Sequence, residues 1–148
     1  MDKKYLIVFS VAFLAAILDQ LTKFIIRKNF QINDSIPIIK NIFHFTYVTN
    51  TGSAFGLFKG FNLFFIFFSI AVIIAIFHYL MKKFDEKEIF LPLAIGLLLG
   101  GTIGNMIDRI IYGAVTDFLD FRIWPVFNVA DSAVTVSVIM LIIVLWKK

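Results

Sequence analysis

The residues of this chain best suited to chemistry are carboxylates at the edges of apolar segments. Six of its ten acidic residues, Asp19, Asp34, Asp108, Asp117, Asp120 and Asp131, stand in such places. A charged side chain at mid-bilayer costs about 2.5–3.5 kcal/mol even on the lenient insertion scale, so acids beside such sequence need a partner or a function. Two carboxylates brought together in a poorly hydrated site cannot both ionise easily, and the pair holds one proton between them. One member can then take a proton from water while the other protonates a carbonyl oxygen. That is peptide hydrolysis without a metal or a covalent intermediate. Asp117 and Asp131 come from different sides of one loop and could converge in this way. The neighbours of Asp117, namely Val115, Thr116, Phe118 and Leu119, offer it no cation.

The other polar residues have a plainer reading beside a functional one. Asn105, Asp108 and Arg109 stand at i, i+3 and i+4 and share one helical face, and Asn128 and Asp131 repeat the i, i+3 relation. Asn and Asp at a helix start also satisfy free backbone N–H groups, so Asn128 reads equally well as a cap. Asp108 is expected to pair with Arg109, which would keep it charged rather than reactive. Asp19 and Lys23, at i and i+4, are expected to form an ion pair at the membrane interface. Asp120 is expected to be solvated. Other hydrolytic arrangements fare worse. No H-E-x-x-H motif or His cluster suggests a metal site. His78 falls at the opposite membrane face from the acids, and His44 is expected at the surface. A Ser53–Lys23 pair has nothing in its spacing to recommend it.

These residues need elements to carry them. Sixty per cent hydrophobic residues, nineteen Phe and a mean hydropathy of +0.92 lie outside the range of a soluble domain. The expectation is an all-α membrane protein of one domain over residues 1–148, with four transmembrane helices and a small extracytoplasmic β element. A span takes roughly 20 apolar residues, and the hydropathy sets the four at about 4–27, 61–81, 88–112 and 125–146. Four spans put both termini on one side. The ends of spans one and three and the start of span four then gather at the other, so the acidic clusters converge by parity alone. Basic residues crowd the short segments at Lys3-Lys4, at Lys82-Lys83 with Lys87, and at Lys147-Lys148, which predicts cytoplasmic termini. The loops at 28–60 and 110–125 are then outside.

Within the first outer loop, residues 42–49 alternate with a period of two, which predicts a strand. Asn50-Thr51-Gly52 supplies a turn, and residues 54–58 are expected to return as a second strand. Gly96, Gly100 and Gly104, at four-residue spacing, let helix backbones approach closely. The basic start and apolar run imitate a signal peptide, but no clear small-x-small site closes it, so it reads as an uncleaved first span. Without Cys there is no disulfide framework, no thiol nucleophile and no lipobox, so the chain is not expected to be a lipoprotein itself. A net charge of +4 suits short inner loops against anionic lipid and gives no reason to invoke nucleic acid.

Five motifs in order, Asp19-Gln20-Leu21-Thr22-Lys23, Asn50-Thr51-Gly52-Ser53-Ala54-Phe55, Gly104-Asn105-x-x-Asp108-Arg109, Asp117-Phe118 and Phe127-Asn128-Val129-Ala130-Asp131-Ser132, resemble the motif set of the lipoprotein signal peptidases (signal peptidase II). Each is short, but their order at span ends across the whole chain is specific. The resemblance implies a bacterial inner-membrane aspartyl endopeptidase, working without a cofactor, that cuts diacylglyceryl-modified prolipoproteins just before the lipidated Cys. It implies Asp117 and Asp131 as the catalytic pair and no metal. Asn50, Gly52, Asn105, Arg109 and Asn128 match residues that line and organise the site, Asp19 and Lys23 match a supporting motif, and Asp108 matches a structural position. Prolipoprotein substrate and membrane lipid are the implied partners of a monomer. Two departures stand out: Thr116 replaces the usual valine, and the stretch between the two acids is short. The rival is a non-enzymatic transporter or proton pathway using membrane carboxylates. Such sites usually lie near the midplane at internal repeats, whereas these acids mark span ends.

The topology has a direct check. A cysteine introduced at Lys59 should react with an impermeant thiol reagent from outside the cell, and one at Lys87 should not. The opposite pattern inverts the arrangement.

Overall fold

The computed structural model describes residues 3–52, 60–81 and 89–146. The predicted return strand at 54–58 and the basic loop at 82–88 lie outside the described residues. Four helices, α1 (Lys3–Asn29), α2 (Asn62–Leu80), α3 (Phe90–Tyr112) and α4 (Val129–Trp146), carry three strands, β1 (Ser35–Ile39), β2 (Phe43–Asn50) and β3 (Val115–Asp120). The helices α1, α2 and α3 are long and apolar enough to cross a membrane. The fourth is apolar and shorter.

Helix α3 is the central element, packed most extensively against α1 on one side and α4 on the other. Its glycines make that possible. A Cβ on Gly100 would stand 2.5 Å from the Ala12 carbonyl oxygen of α1, and one on Gly101 would stand 2.6 Å from the Ala130 carbonyl oxygen of α4. Small residues let the backbones close where lipid gives no hydrophobic push between helices. At one end of the bundle Val8, Ala12, Ile76, Leu80, Leu91, Ile95 and Leu99 form a buried cluster. Outward faces instead present large apolar side chains such as Phe13, Leu21, Phe67 and Ile142, as lipid-facing surfaces do.

The alternating segment forms β2, in the middle of an antiparallel sheet ordered β1-β2-β3. A register irregularity lies between Phe45 and Val48, where the pairing runs from Phe45↔Leu119 to Val48↔Asp117. The third strand lies where the sequence reads as a loop. Five of its six residues are buried, so it lacks the in-out alternation that reveals a half-buried strand. Gly113, in the left-handed conformation at φ 73°, ends α3 and turns the chain into β3. Ile26, Tyr47 and Phe118 form a second buried cluster that ties the end of α1 to the sheet.

Helix α4 starts at Val129, four residues later than expected. The reason is local. Phe127 is taken up by the sheet, accepting from the N–H groups of Phe118 and Leu119 and donating to the Leu119 carbonyl, so Asn128 becomes the first residue free to start a helix.

The close α3–α4 approach can be tested at Gly101. Gly101→Val should lower thermal stability in detergent by about 1–3 kcal/mol, the usual cost of overpacking. An unchanged melting temperature would contradict the packing.

Candidate active site

The site begins with a stack of charges on α1. Asp19, Lys23 and Arg27 recur every four residues and so share one helical face. Lys23 and Asp19 have no exposed surface, and the Lys23 Nζ lies 2.8 Å from Asp19 Oδ2. The same ammonium lies 3.5 Å from Asp108 Oδ2 of α3. Arg27 Nη1 approaches Asp108 Oδ1 at 3.4 Å and donates to the Thr116 hydroxyl at 3.1 Å. Its guanidinium also lies over the Tyr112 ring. The Thr116 backbone N–H donates to Asp108 Oδ2 at 2.8 Å, and the Gln20 amide donates to Asp108 Oδ1 at 3.0 Å. Asp19 Oδ1 accepts the Ala130 N–H at 2.9 Å, capping α4 from another helix.

Above this base, Asn128 joins the two acids of interest. Its Oδ1 accepts the Asp131 N–H at 2.9 Å, while the Asp131 Oδ2 accepts the Asn128 N–H at 3.2 Å. This reciprocal pair is a capping box. The Asn128 Nδ2 then donates to Asp117 Oδ1 at 2.6 Å and to Asn105 Oδ1 at 3.1 Å. Asn105 Nδ2 donates to Asp131 Oδ1 at 2.7 Å, and Asn50 Nδ2 donates to Asp117 Oδ2 at 3.0 Å. Cap and site are one structure. The Asp117 carboxyl, on β3, is pushed up to about 7 by burial first and then by the neighbouring Asp131 charge, against the opposing bonds from Asn50 and Asn128.

Arg109 forms the third side. It donates to the Gly52 carbonyl at 3.2 Å and to the Asn105 carbonyl at 3.4 Å, and its guanidinium lies 4.9 Å from the Phe65 ring centroid. Gly52 in turn donates its N–H to Asn50 Oδ1 at 2.9 Å, which fixes the turn after β2. Asp117, Asp131, Asn50, Gly52 and Arg109 line a cavity of about 830 Å³ whose remaining wall is mostly apolar, including Phe65, Phe68, Trp124 and Val134.

Several expectations need correction. Asp108 pairs with Lys23 and Arg27 rather than with Arg109, because helix neighbours at i and i+1 do not face each other. Asp120 is buried, not solvated. It accepts the Thr46 hydroxyl at 2.7 Å and pairs with Arg122 at 3.0 Å. Burial opposes its ionisation, but the bonds from Thr46 and Arg122 outweigh that and hold its carboxyl below the ordinary value. The Asp19–Lys23 pair is wholly buried rather than set at a wet interface. His44 is half-buried on β2, with Nδ1 3.2 Å from the Ser35 hydroxyl. Ser53, the other half of the Ser–Lys alternative, lies outside the described residues.

Sequence reasoning missed Gln20, Arg27 and the apolar wall. Arg27 had a signal, its i+4 relation to Lys23. The hydroxyl of Thr116, where the motif has valine, is engaged by that same Arg27. Phe65 and Phe68 have none, because one Phe among nineteen does not mark itself.

Membrane-length apolar helices around a buried acid network define a multi-pass membrane protein, and structural neighbours narrow the class to membrane enzymes. A solved structure described as a bacterial membrane enzyme superposes with a TM-score of 0.89 at 38% identity, over 95% of this chain and 87% of that one. A second of the same description gives 0.86 at 37% identity, over 95% and 93%. The family profile described as signal peptidase (SPase) II matches residues 11–147. The lipoprotein signal peptidase of Halothermothrix orenii is 43% identical over 141 residues, 95% of this chain and 96% of that protein. The one from Moorella thermoacetica is 46% identical over 132 residues, 88% and 87%, and the one from Staphylococcus aureus 40% over 153, 99% and 93%. The chain belongs to the signal peptidase II family and is a peptidase by that membership.

The corrected partners of Asp108 change what its substitution should do. Asp108→Asn leaves Lys23 and Arg27 with too little negative charge and should cost about 3–5 kcal/mol, as breaking a buried pair does. Thermal unfolding in detergent reads this. A variant that melts with the wild type would mean that the network does not depend on this carboxylate.

Proposed function

We propose that the protein is an aspartyl endopeptidase that removes the signal peptide from diacylglyceryl-modified prolipoproteins, cutting just before the lipidated Cys. In this reading α1 to α4 all cross the bacterial inner membrane, both termini are cytoplasmic, and the site opens at the outer face. The observation that carries it is the junction at Asn128, which bonds Asp117 Oδ1 with its amide and Asp131 with its backbone and carbonyl. Two carboxyl groups are thereby held at one cavity in a chain whose relatives are named lipoprotein signal peptidases. A transporter is not favoured by those relatives.

Asp117 holds the shared proton at rest, and Asp131 takes the proton of the attacking water. Asp117 protonates the carbonyl oxygen of the scissile bond as the water adds, giving a gem-diol. As the C–N bond breaks, the proton on Asp131 passes to the leaving nitrogen and a gem-diol hydroxyl returns its proton to Asp117, so the acid product forms and the pair again holds one proton. Arg109 Nε is buried with no partner among the described residues, so the guanidinium keeps a donor for a substrate oxygen. The apolar wall of the cavity receives the acyl chains and the apolar end of the signal peptide.

Charge balance supports a single shared proton. Lys23, Arg27 and Arg109 supply three positive charges to the network. Asp19 and Asp108 supply two negative charges, and a pair holding one proton supplies the third. Two ionised members would leave a buried excess negative charge, which is costly.

Cleavage of a diacylglyceryl-modified precursor by purified protein in detergent tests this reading, with an unmodified precursor as control. Asp117→Asn and Asp131→Asn should each lose about 10²–10⁴-fold in rate or more, and the double variant should be little worse because the pair acts as a unit. Substrate binding should persist. With the Asp117 carboxyl raised to about 7, the shared proton is present below that pH and lost above it, so the rate should fall as pH rises through neutrality. Substantial turnover by Asp131→Asn, or loss to a chelator with rescue by added metal, would sink the assignment.

A further inference from the structure

The ammonium of Lys23 is buried among three acceptors and has no exposed surface. It lies 2.8 Å from Asp19 Oδ2, 2.9 Å from Asn105 Oδ1 and 3.5 Å from Asp108 Oδ2. An ammonium has three N–H donors and accepts nothing, so each of these partners must present an oxygen. That requirement decides the orientation of the Asn105 amide. Its Oδ1 faces two donors, Lys23 Nζ at 2.9 Å and Asn128 Nδ2 at 3.1 Å, and its Nδ2 therefore faces Asp131 Oδ1 at 2.7 Å. A turned amide would set its NH₂ against the ammonium and its oxygen against a carboxylate. The same ion pair reaches Asp131 by a second route, because Asp19 Oδ1 holds the N–H of Ala130, the residue before it.

We infer that Lys23 is a positioning residue for the Asp117/Asp131 pair: it fixes the Asn105 amide toward Asp131, and its charge sets the pH range in which the pair holds one proton. The inference rests on the catalytic reading of that pair. The other charged groups of this network are Asp19 and Arg27 on α1, Asp108 and Arg109 on α3, Asp117 on β3 and Asp131 on α4. Of the three cations, Lys23 is the one bonded to the amide that holds Asp131. Arg27 is engaged with Asp108 and Thr116, and Arg109 with the carbonyls of Gly52 and Asn105.

The test compares wild type, Lys23→Met, Asn105→Ala and their double variant, with Asp131→Asn alongside, using the lipidated precursor across a pH series. Lys23→Met should lower kcat by about a hundredfold, as a displaced catalytic group does, with KM held within about twofold. Removing a nearby positive charge disfavours the ionised member of the pair, so both limbs of the pH–rate profile should move to higher pH, by about one unit. In the Asn105→Ala background the further loss of kcat should be much smaller, because the two residues act in series. Should Lys23→Met not accumulate, Lys23→Met/Asp19→Asn removes the ion pair together and takes its place. A lower folded yield with a pH profile that superposes on the wild type would make Lys23 merely structural, and so would failure of both variants to fold. Either result overturns the inference. An active Asp131→Asn would instead sink the catalytic reading itself. An inactive one beside an unmoved Lys23→Met profile would sink the positioning inference alone.

Discussion

Everything in this site depends on how a lysine can be kept charged with no exposed surface. The full removal of an ammonium from water is offset only by good geometry and complete hydrogen bonding. Lys23 obtains both by drawing together Asp19 from its own helix and Asn105 and Asp108 from α3. Those partners are in turn committed elsewhere: Asp19 to the start of α4, Asp108 to the start of β3, Asn105 to Asp131. One buried charge thus fixes the relative placement of four elements. Such a network is expensive to leave half satisfied, which gives the bundle one well-defined arrangement at this end.

The network closes only because α3 comes close to both neighbours. On Gly104, an added Cβ would stand 2.5 Å from Asp19 Oδ2, so the glycine that lets α1 and α3 approach also makes room for the carboxylate. Spacing that the sequence offers as a helix-packing motif is, at this position, part of the electrostatics. A larger side chain here would act on the site as much as on the packing.

Much of this was legible in advance, for physical reasons that differ by residue. Apolar runs of membrane length revealed α1, α2 and α3, and alternation revealed β2 through residues 43–49, because each signal follows the period of its element. The i, i+4 spacing of Asp19 and Lys23 revealed a contact within one helix. Strand β3 was invisible, since burial of nearly all its residues erases alternation. The true partners of Asp108 were hidden because they lie on another helix. Adjacency in sequence suggested Arg109, which instead holds the turn at Gly52.

The short connection between Asp117 and Asp131 follows from the same local structure. Two residues beyond Asp117, Leu119 begins a bridge with Phe127, closed by backbone bonds in both directions. Arg122, at φ 65°, turns the chain within that span, and its side chain is tied to Asp120. Asn128 follows Phe127 directly and caps α4 while its Nδ2 reaches back to Asp117. The return path is a hairpin-like closure ending in a helix cap, so no long loop is needed to bring the acids to one place. Asn128 could not be only a cap or only a site residue. The side-chain oxygen that starts the helix and the amide that holds Asp117 are two ends of the same planar group, and satisfying one end orients the other.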